Sequence, residues 1–136
     1  MRLLDTNMFV RLITADEPEM TAAAQTQFER FERGEAQALV LDAVVAEVAY
    51  VLGSRRLYGL AREEIHERLG FLLSLPGVQV ENRSRCLRAL ELYKEHAQLS
   101  FVDALIAAAA LGEPEAEVYS FDRGFDGVAG LTRVEP

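Results

Sequence analysis

Short apolar runs alternate with longer helix-patterned stretches along almost the whole chain, and no other feature restricts its fold as much. Met1–Leu4, Gln37–Leu41, Val78–Val80 and Val118–Phe121 are apolar segments of strand length, and Thr132–Val134 suits an edge strand. Between them lie segments with helical character: Asn7–Ile13, Glu19–Arg33, Ala43–Leu52, Leu60–Ser74, Arg83–Ala97 and Ser100–Leu111. Parallel strands need a long crossover, usually a helix, so this alternation predicts an α/β fold with a mostly parallel sheet. The 136 residues are expected to form one domain, 1–136, large enough for a real core. Met1–Leu4 reads as a buried strand.

The punctuation supports these limits. Pro18 suits the first position of a helix, Gly34 terminates that helix, and Pro76-Gly77 stops the Leu60–Ser74 segment. Asp42 is expected to cap the helix from Ala43, with Gly53 at its end. Ser100-Phe101-Val102-Asp103 matches a capping box, which puts Asp103 in a first turn where the helix dipole favours an anion. Ser100–Leu111 is apolar on nearly all sides and reads as a helix buried in the core.

Four acids stand alone in apolar surroundings. Asp5 is the only charge between Arg2 and Arg11, Glu47 between Asp42 and Arg55, and Asp103 between His96 and Glu113; Asp122 closes the run Val118-Tyr119-Ser120-Phe121. An ionised carboxylate in an apolar setting costs several kcal/mol unless a cation or hydrogen bonds compensate it. Asp5 and Asp122 follow strands, and Glu47 and Asp103 are expected in the first turns of helices. Sites in parallel sheets form at the carboxyl ends of strands, so all four can meet on one rim, where a divalent ion is the simplest partner. Each residue also has a plain structural reading: Asp5-Thr6-Asn7 and Asp103 as caps, Asp122 and Asp126 as turn residues. Thr6, Asn7 and Ser100 can hold carboxylates by hydrogen bonds or act only as caps. His66 and His96 lie in charged helical stretches and are expected to face solvent. Tyr50, Tyr58, Tyr93 and Tyr119 show no stacking pattern and read as core or interface residues.

Other chemistries are set aside by what the chain lacks. It has no Gly-rich phosphate loop or dinucleotide fingerprint. A phosphoacceptor receiver needs a Lys after a late strand, and the only Lys, Lys94, falls mid-helix. A haloacid-dehalogenase-type phosphatase needs Asp-x-Asp at the first strand, where position 7 is Asn. Cys86 is alone, which rules out an internal disulfide or a Cys-based zinc site and fits a reducing, cytoplasmic setting. No signal-peptide pattern opens the chain, and no apolar run reaches the roughly 18 residues of a membrane span. The net charge of −8 opposes nonspecific duplex binding. Two bound divalent cations would offset half of it, and the basic residues are 13 Arg against one Lys, Arg being the better phosphate fork.

Leu3-Leu4-Asp5-Thr6-Asn7, Glu47, Ser100-Phe101-Val102-Asp103-Ala104-Leu105-Ile106-Ala107 and Ser120-Phe121-Asp122-Arg123-Gly124-Phe125 together resemble the PIN-domain nucleases, and among them the VapC-type toxins of toxin–antitoxin pairs. The likeness covers nearly the whole chain, in order. It implies a central parallel sheet flanked by helices in three α/β/α layers. It also implies an Mg²⁺- or Mn²⁺-dependent endoribonuclease that dimerises and is neutralised by an antitoxin. Asp5, Glu47, Asp103 and Asp122 match the family's acidic quartet, expected to be both catalytic and metal-binding. Asp126 matches a less regular fifth acid, Thr6 and Ser100 match supporting hydroxyls, and Asn7 is usual at its position. Arg123, and more weakly Arg55 and Arg56, are candidate phosphate contacts. Hard oxygen donors without His or Cys point to Mg²⁺ or Mn²⁺. The competing reading is a PIN-like RNA-processing or RNA-binding protein outside a toxin–antitoxin pair, acting through protein contacts or with another nuclease specificity.

Overall fold

A computed structural model describes all residues 1–136. Its packing divides them into two compact units, Met1–Arg83 and Ser84–Pro136.

In the first unit, β1 (Arg2–Leu3), β2 (Ala38–Val40) and β3 (Val78–Val80) form a parallel sheet in the order β1-β2-β3. Arg2 lies opposite Ala38 and Leu3 opposite Leu39; Ala38, Leu39 and Val40 face Val78, Gln79 and Val80. The helices α1 (Thr6–Thr14) and α2 (Pro18–Glu32) carry the chain from β1 to β2. The helices α3 (Asp42–Gly53) and α4 (Arg62–Leu73) carry it from β2 to β3. Each helix buries one stripe, such as Val45, Val48, Ala49 and Leu52 of α3 and Ile65, Leu69, Leu72 and Leu73 of α4. Phe9 of α1 meets Phe28 of α2 edge-on at 5.3 Å, and Phe28 meets Phe31 at 5.5 Å, in the tilted geometry that aromatic quadrupoles favour. Pro18 opens α2 as expected. Gly34 takes φ +73° just past its end, a conformation that suits a residue without Cβ.

The second unit holds α5 (Arg83–Glu95, beginning at the boundary), α6 (Phe101–Leu111) and the parallel pair β4 (Glu117–Tyr119) and β5 (Thr132–Val134). A 3-10 turn, Arg123–Gly127, lies on the connection between the two strands. Tyr93 of α5 meets Phe101 of α6 edge-on at 5.9 Å.

The α/β class and the parallel pairing match the sequence reading, though the hydrogen bonds divide the strands into a three-stranded and a two-stranded sheet. The structure bears on four burial expectations. β1 is exposed at Arg2 and Leu3, because it is an edge strand paired only with β2; Leu4 alone is buried. α6 buries Phe101, Ala104, Ala107 and Ala108 but exposes Val102 and Ile106, so its uniform apolarity overstated its burial. Tyr93 is buried as a core residue, whereas Tyr50 and Tyr119 are exposed, which leaves them the interface half of their reading. His66 and His96 are half-buried, and each has an interaction partner, so neither is simply solvated.

Candidate active-site carboxylates

In the first unit, all three parallel strands end beside an acid. Asp5 follows β1, Asp42 follows β2 and Glu81 follows β3. Asp5 caps α1 in extended geometry, its Oδ1 accepting the Thr6 backbone N–H at 2.7 Å. The cap engages one oxygen and leaves the other available, and the carboxylate is exposed. Thr6 is buried and Asn7 exposed. Asp5 and Asn7 line a groove of about 980 Å³ together with Met8, Arg11, Met20 and Gln27.

Asp42 is not the cap expected for α3. Leu41 holds that position, and the Asp42 backbone N–H donates to Glu81 Oε1 at 3.3 Å. The acid that caps this helix therefore comes from 39 residues away, at the end of β3, which local sequence cannot show. Glu47 sits one turn deeper in α3 than expected, at its sixth residue, where the dipole gives little help. It is exposed, on the side away from Val45, Val48 and Leu52, and its side chain makes no hydrogen bond or ion pair. Arg55 and Arg56 lie exposed in the loop after α3. Neither pairs with Glu47.

A network that the sequence reading missed locks the end of α1. Tyr58 donates its hydroxyl to Asp16 Oδ2 at 2.6 Å, Thr14 donates to Asp16 Oδ1 at 2.9 Å, and Arg11 reaches Asp16 at 3.1 Å. The Tyr58 and Thr14 hydroxyls, with Arg11, hold the Asp16 carboxyl below the usual carboxylate range. A contact spanning 42 residues leaves no local signal.

In the second unit the Ser100–Asp103 box forms as expected. Ser100 Oγ accepts the Asp103 N–H at 3.1 Å, and Asp103 Oδ2 accepts the Ser100 N–H at 3.3 Å. Asp103 is half-buried in the first turn of α6. Asp122 lies three residues beyond β4, because the strand ends at Tyr119 rather than Phe121. Its Oδ1 accepts the Gly124 N–H at 2.8 Å and so caps the 3-10 turn. Arg123, next in sequence, is exposed. Asp126 gives both oxygens to Arg133, at 2.8 and 3.3 Å. Arg133 holds the Asp126 carboxyl below its usual range, and Asp126 in turn raises the guanidinium.

The acids thus prove more exposed than their apolar neighbours in sequence suggest, since helix and turn geometry point each away from the buried stripe. Asp5 and Glu47 belong to the first unit, Asp103 and Asp122 to the second. Neither unit by itself gathers three or more His, Cys, Asp or Glu side chains closely enough to hold a metal ion. The donor chemistry nonetheless suits a hard divalent cation. Asp5, Asp103 and Asp122 each commit one oxygen to a backbone cap and keep a second, hard oxygen donor outside that bond.

Residues 2–131 match the PIN domain family, and the chain belongs to it. Along its full length it is also similar to the VapC ribonuclease of Aquifex aeolicus (strain VF5). The two are 29% identical over 136 residues, covering 100% of this chain and 97% of the relative. No helix is long and apolar enough to cross a membrane.

Proposed function

We propose that this chain is a divalent-metal-dependent endoribonuclease, the toxin component of a toxin–antitoxin pair, working as one domain over residues 1–136. The family match, which runs across both units, carries this reading. PIN-domain nucleases generally use divalent metal ions, and Asp5, Glu47, Asp103 and Asp122 would hold one here, Mg²⁺ or Mn²⁺. Such an ion, when bound, supplies Lewis-acid polarisation of a phosphodiester and an acidified water.

The chain's own residues set the conditions for that chemistry. Asp5, Asp103 and Asp122 are held by backbone N–H donors at 2.7, 3.3 and 2.8 Å, so their free oxygens are oriented before any ligand arrives. Preorganised carboxylates lose little side-chain entropy on binding a cation. Glu47 adds a charge held only by its helix. Arg123, exposed beside Asp122, and Arg55 and Arg56 after α3 supply cationic forks for RNA phosphates on an otherwise acidic protein. Thr6, Asn7 and Ser100 support the capped geometry. The same reading gives the protein a cognate antitoxin, a homodimeric state and a cytoplasmic location.

The test is RNA cleavage by purified protein with Mn²⁺ or Mg²⁺, compared with Asp5→Asn and Asp103→Asn. Each variant should lose cleavage while keeping its circular dichroism spectrum. Undiminished cleavage in either variant, or cleavage in excess EDTA, would refute the assignment. Co-expression with the product of a small upstream reading frame, followed by pull-down, tests the antitoxin.

A further inference from the structure

Arg133 belongs to β5 and its side chain is 12% exposed, and its three shortest contacts all go to the segment from Ser120 to Asp126 that carries Asp122. Nη1 donates to the Ser120 carbonyl at 3.1 Å. Nε and Nη2 form a two-pronged pair with Asp126 at 2.8 and 3.3 Å. One guanidinium therefore joins the start of the turn to its end. Between those points, Ser120 Oγ accepts the Asp122 N–H at 2.9 Å, and Asp122 Oδ1 accepts the Gly124 N–H at 2.8 Å. Gln98 donates to the Gly124 carbonyl at 3.2 Å from the other side. A Cβ on Gly124 would lie 3.0 Å from Asp122 Oδ1 and 3.3 Å from Gln98 Cγ, so glycine leaves the cap uncrowded.

We propose that Arg133 is a positioning residue, which with Asp126 forms a brace that fixes the turn presenting Asp122, and that Asp126 serves this brace rather than the cation. The inference rests on the reading of Asp122 as a metal ligand. Its physical basis is that a planar guanidinium uses both oxygens of Asp126 at once. For Asp126 to ligate an ion, a mostly buried arginine would lose its main partner. A third contact, Arg133 Nη1 to Glu135 at 3.7 Å, is longer and leaves the turn unaffected.

A double-mutant cycle on Mn²⁺ affinity, measured without RNA by electron paramagnetic resonance, separates the roles. Arg133→Ala and Asp126→Ala should each weaken Mn²⁺ binding roughly tenfold, as removal of an outer partner typically does. The double variant should be no weaker than the worse single variant. Arg133→Lys, which cannot span both contacts, should fall between wild type and Arg133→Ala and remains informative if the alanine variant misfolds. In metal-free protein, hydrogen exchange at the Asp122 and Gly124 amides should accelerate in Arg133→Ala, while the amides of α6 keep their protection.

Losses that multiply in the double variant would make Asp126 a ligand in its own right and overturn the proposal. So would unchanged exchange across the turn. Asp122→Asn is the separate control for the metal reading. If it leaves Mn²⁺ affinity intact, that reading fails, whereas an effect of Asp122→Asn without one of Arg133→Ala defeats the brace alone.

Discussion

Gly77 is the position where the fold of the first unit leaves least room. A Cβ there would lie 2.1 Å from the Ala36 carbonyl oxygen, 2.8 Å from Phe31 Cα and 2.9 Å from the Phe31 oxygen. All three are backbone atoms, so no side chain can swing aside. Two hydrogen bonds converge on the same residue: its N–H donates to Phe31 at 2.8 Å, and its carbonyl accepts from Ala38 at 2.9 Å. Gly77→Ala must therefore push the backbone at residue 77 away from Phe31 and Ala36. Overpacking of this kind costs about 1–3 kcal/mol. Weakening the two hydrogen bonds adds on the order of 1 kcal/mol each. Loss of glycine's freedom in the unfolded chain returns roughly 0.4–1 kcal/mol. The net expectation is a loss of about 2–4 kcal/mol, a large share of the roughly 5–15 kcal/mol typical of a domain. Urea unfolding followed by circular dichroism measures it. Gly34→Ala is the control: it has open space but φ +73°, so only conformational strain of about 1–2 kcal/mol is expected. A loss below about 0.5 kcal/mol for Gly77→Ala, or a larger loss at Gly34, would refute the close-packing argument.

Other expectations test separate parts of the account. Ser100→Ala removes one arm of the capping box and should cost about 1 kcal/mol, read as a melting point lower by a few degrees. Arg123→Ala should weaken RNA binding and flatten the dependence of log affinity on log salt by roughly 0.7, the increment for one phosphate contact on a single strand. Asp16, Glu35 and Asp126 are all held below their ordinary values in the folded protein, chiefly by Tyr58, Arg33 and Arg133 respectively. Their contribution is therefore complete above the unfolded carboxylate value, near pH 4, and is lost as pH falls through the lower folded values. Stability should be flat from pH 7 to 5 and decline below about pH 4. Tyr58→Phe should be less stable than wild type at pH 7 and lose less stability as pH falls below about 4, because less of the Asp16 shift remains to be lost; an unchanged stability at pH 7 and an unchanged acid decline would show that the hydroxyl does not hold Asp16.

What the sequence made legible follows from the range of the forces involved. Local signals held: Pro18 at the start of α2, Gly34 past its end, the Ser100–Asp103 box, and the alternation that required parallel strands. These depend on contacts within a few residues. The alternation also placed Asp5 and Asp122 near strand ends, although β4 stops two residues earlier than its apolar run. What escaped depended on distant partners. Glu81 caps α3 from the end of β3, Tyr58 closes on Asp16, and Arg133 claims Asp126. Burial was misjudged where composition stood in for environment. Leu3 lies on an edge strand, and Val102 and Ile106 lie on the open side of α6.

The proposed function makes Asp5 and Asp103 ligands of a divalent cation. Calorimetric titration of Mn²⁺ into the wild type, Asp5→Asn and Asp103→Asn tests it most directly, because each substitution removes one proposed ligand and leaves the side chain's size unchanged. Binding by the wild type and marked weakening in both variants is the predicted result. Weakening in only one of them, or a wild type that takes up no Mn²⁺ at millimolar concentration, would contradict it.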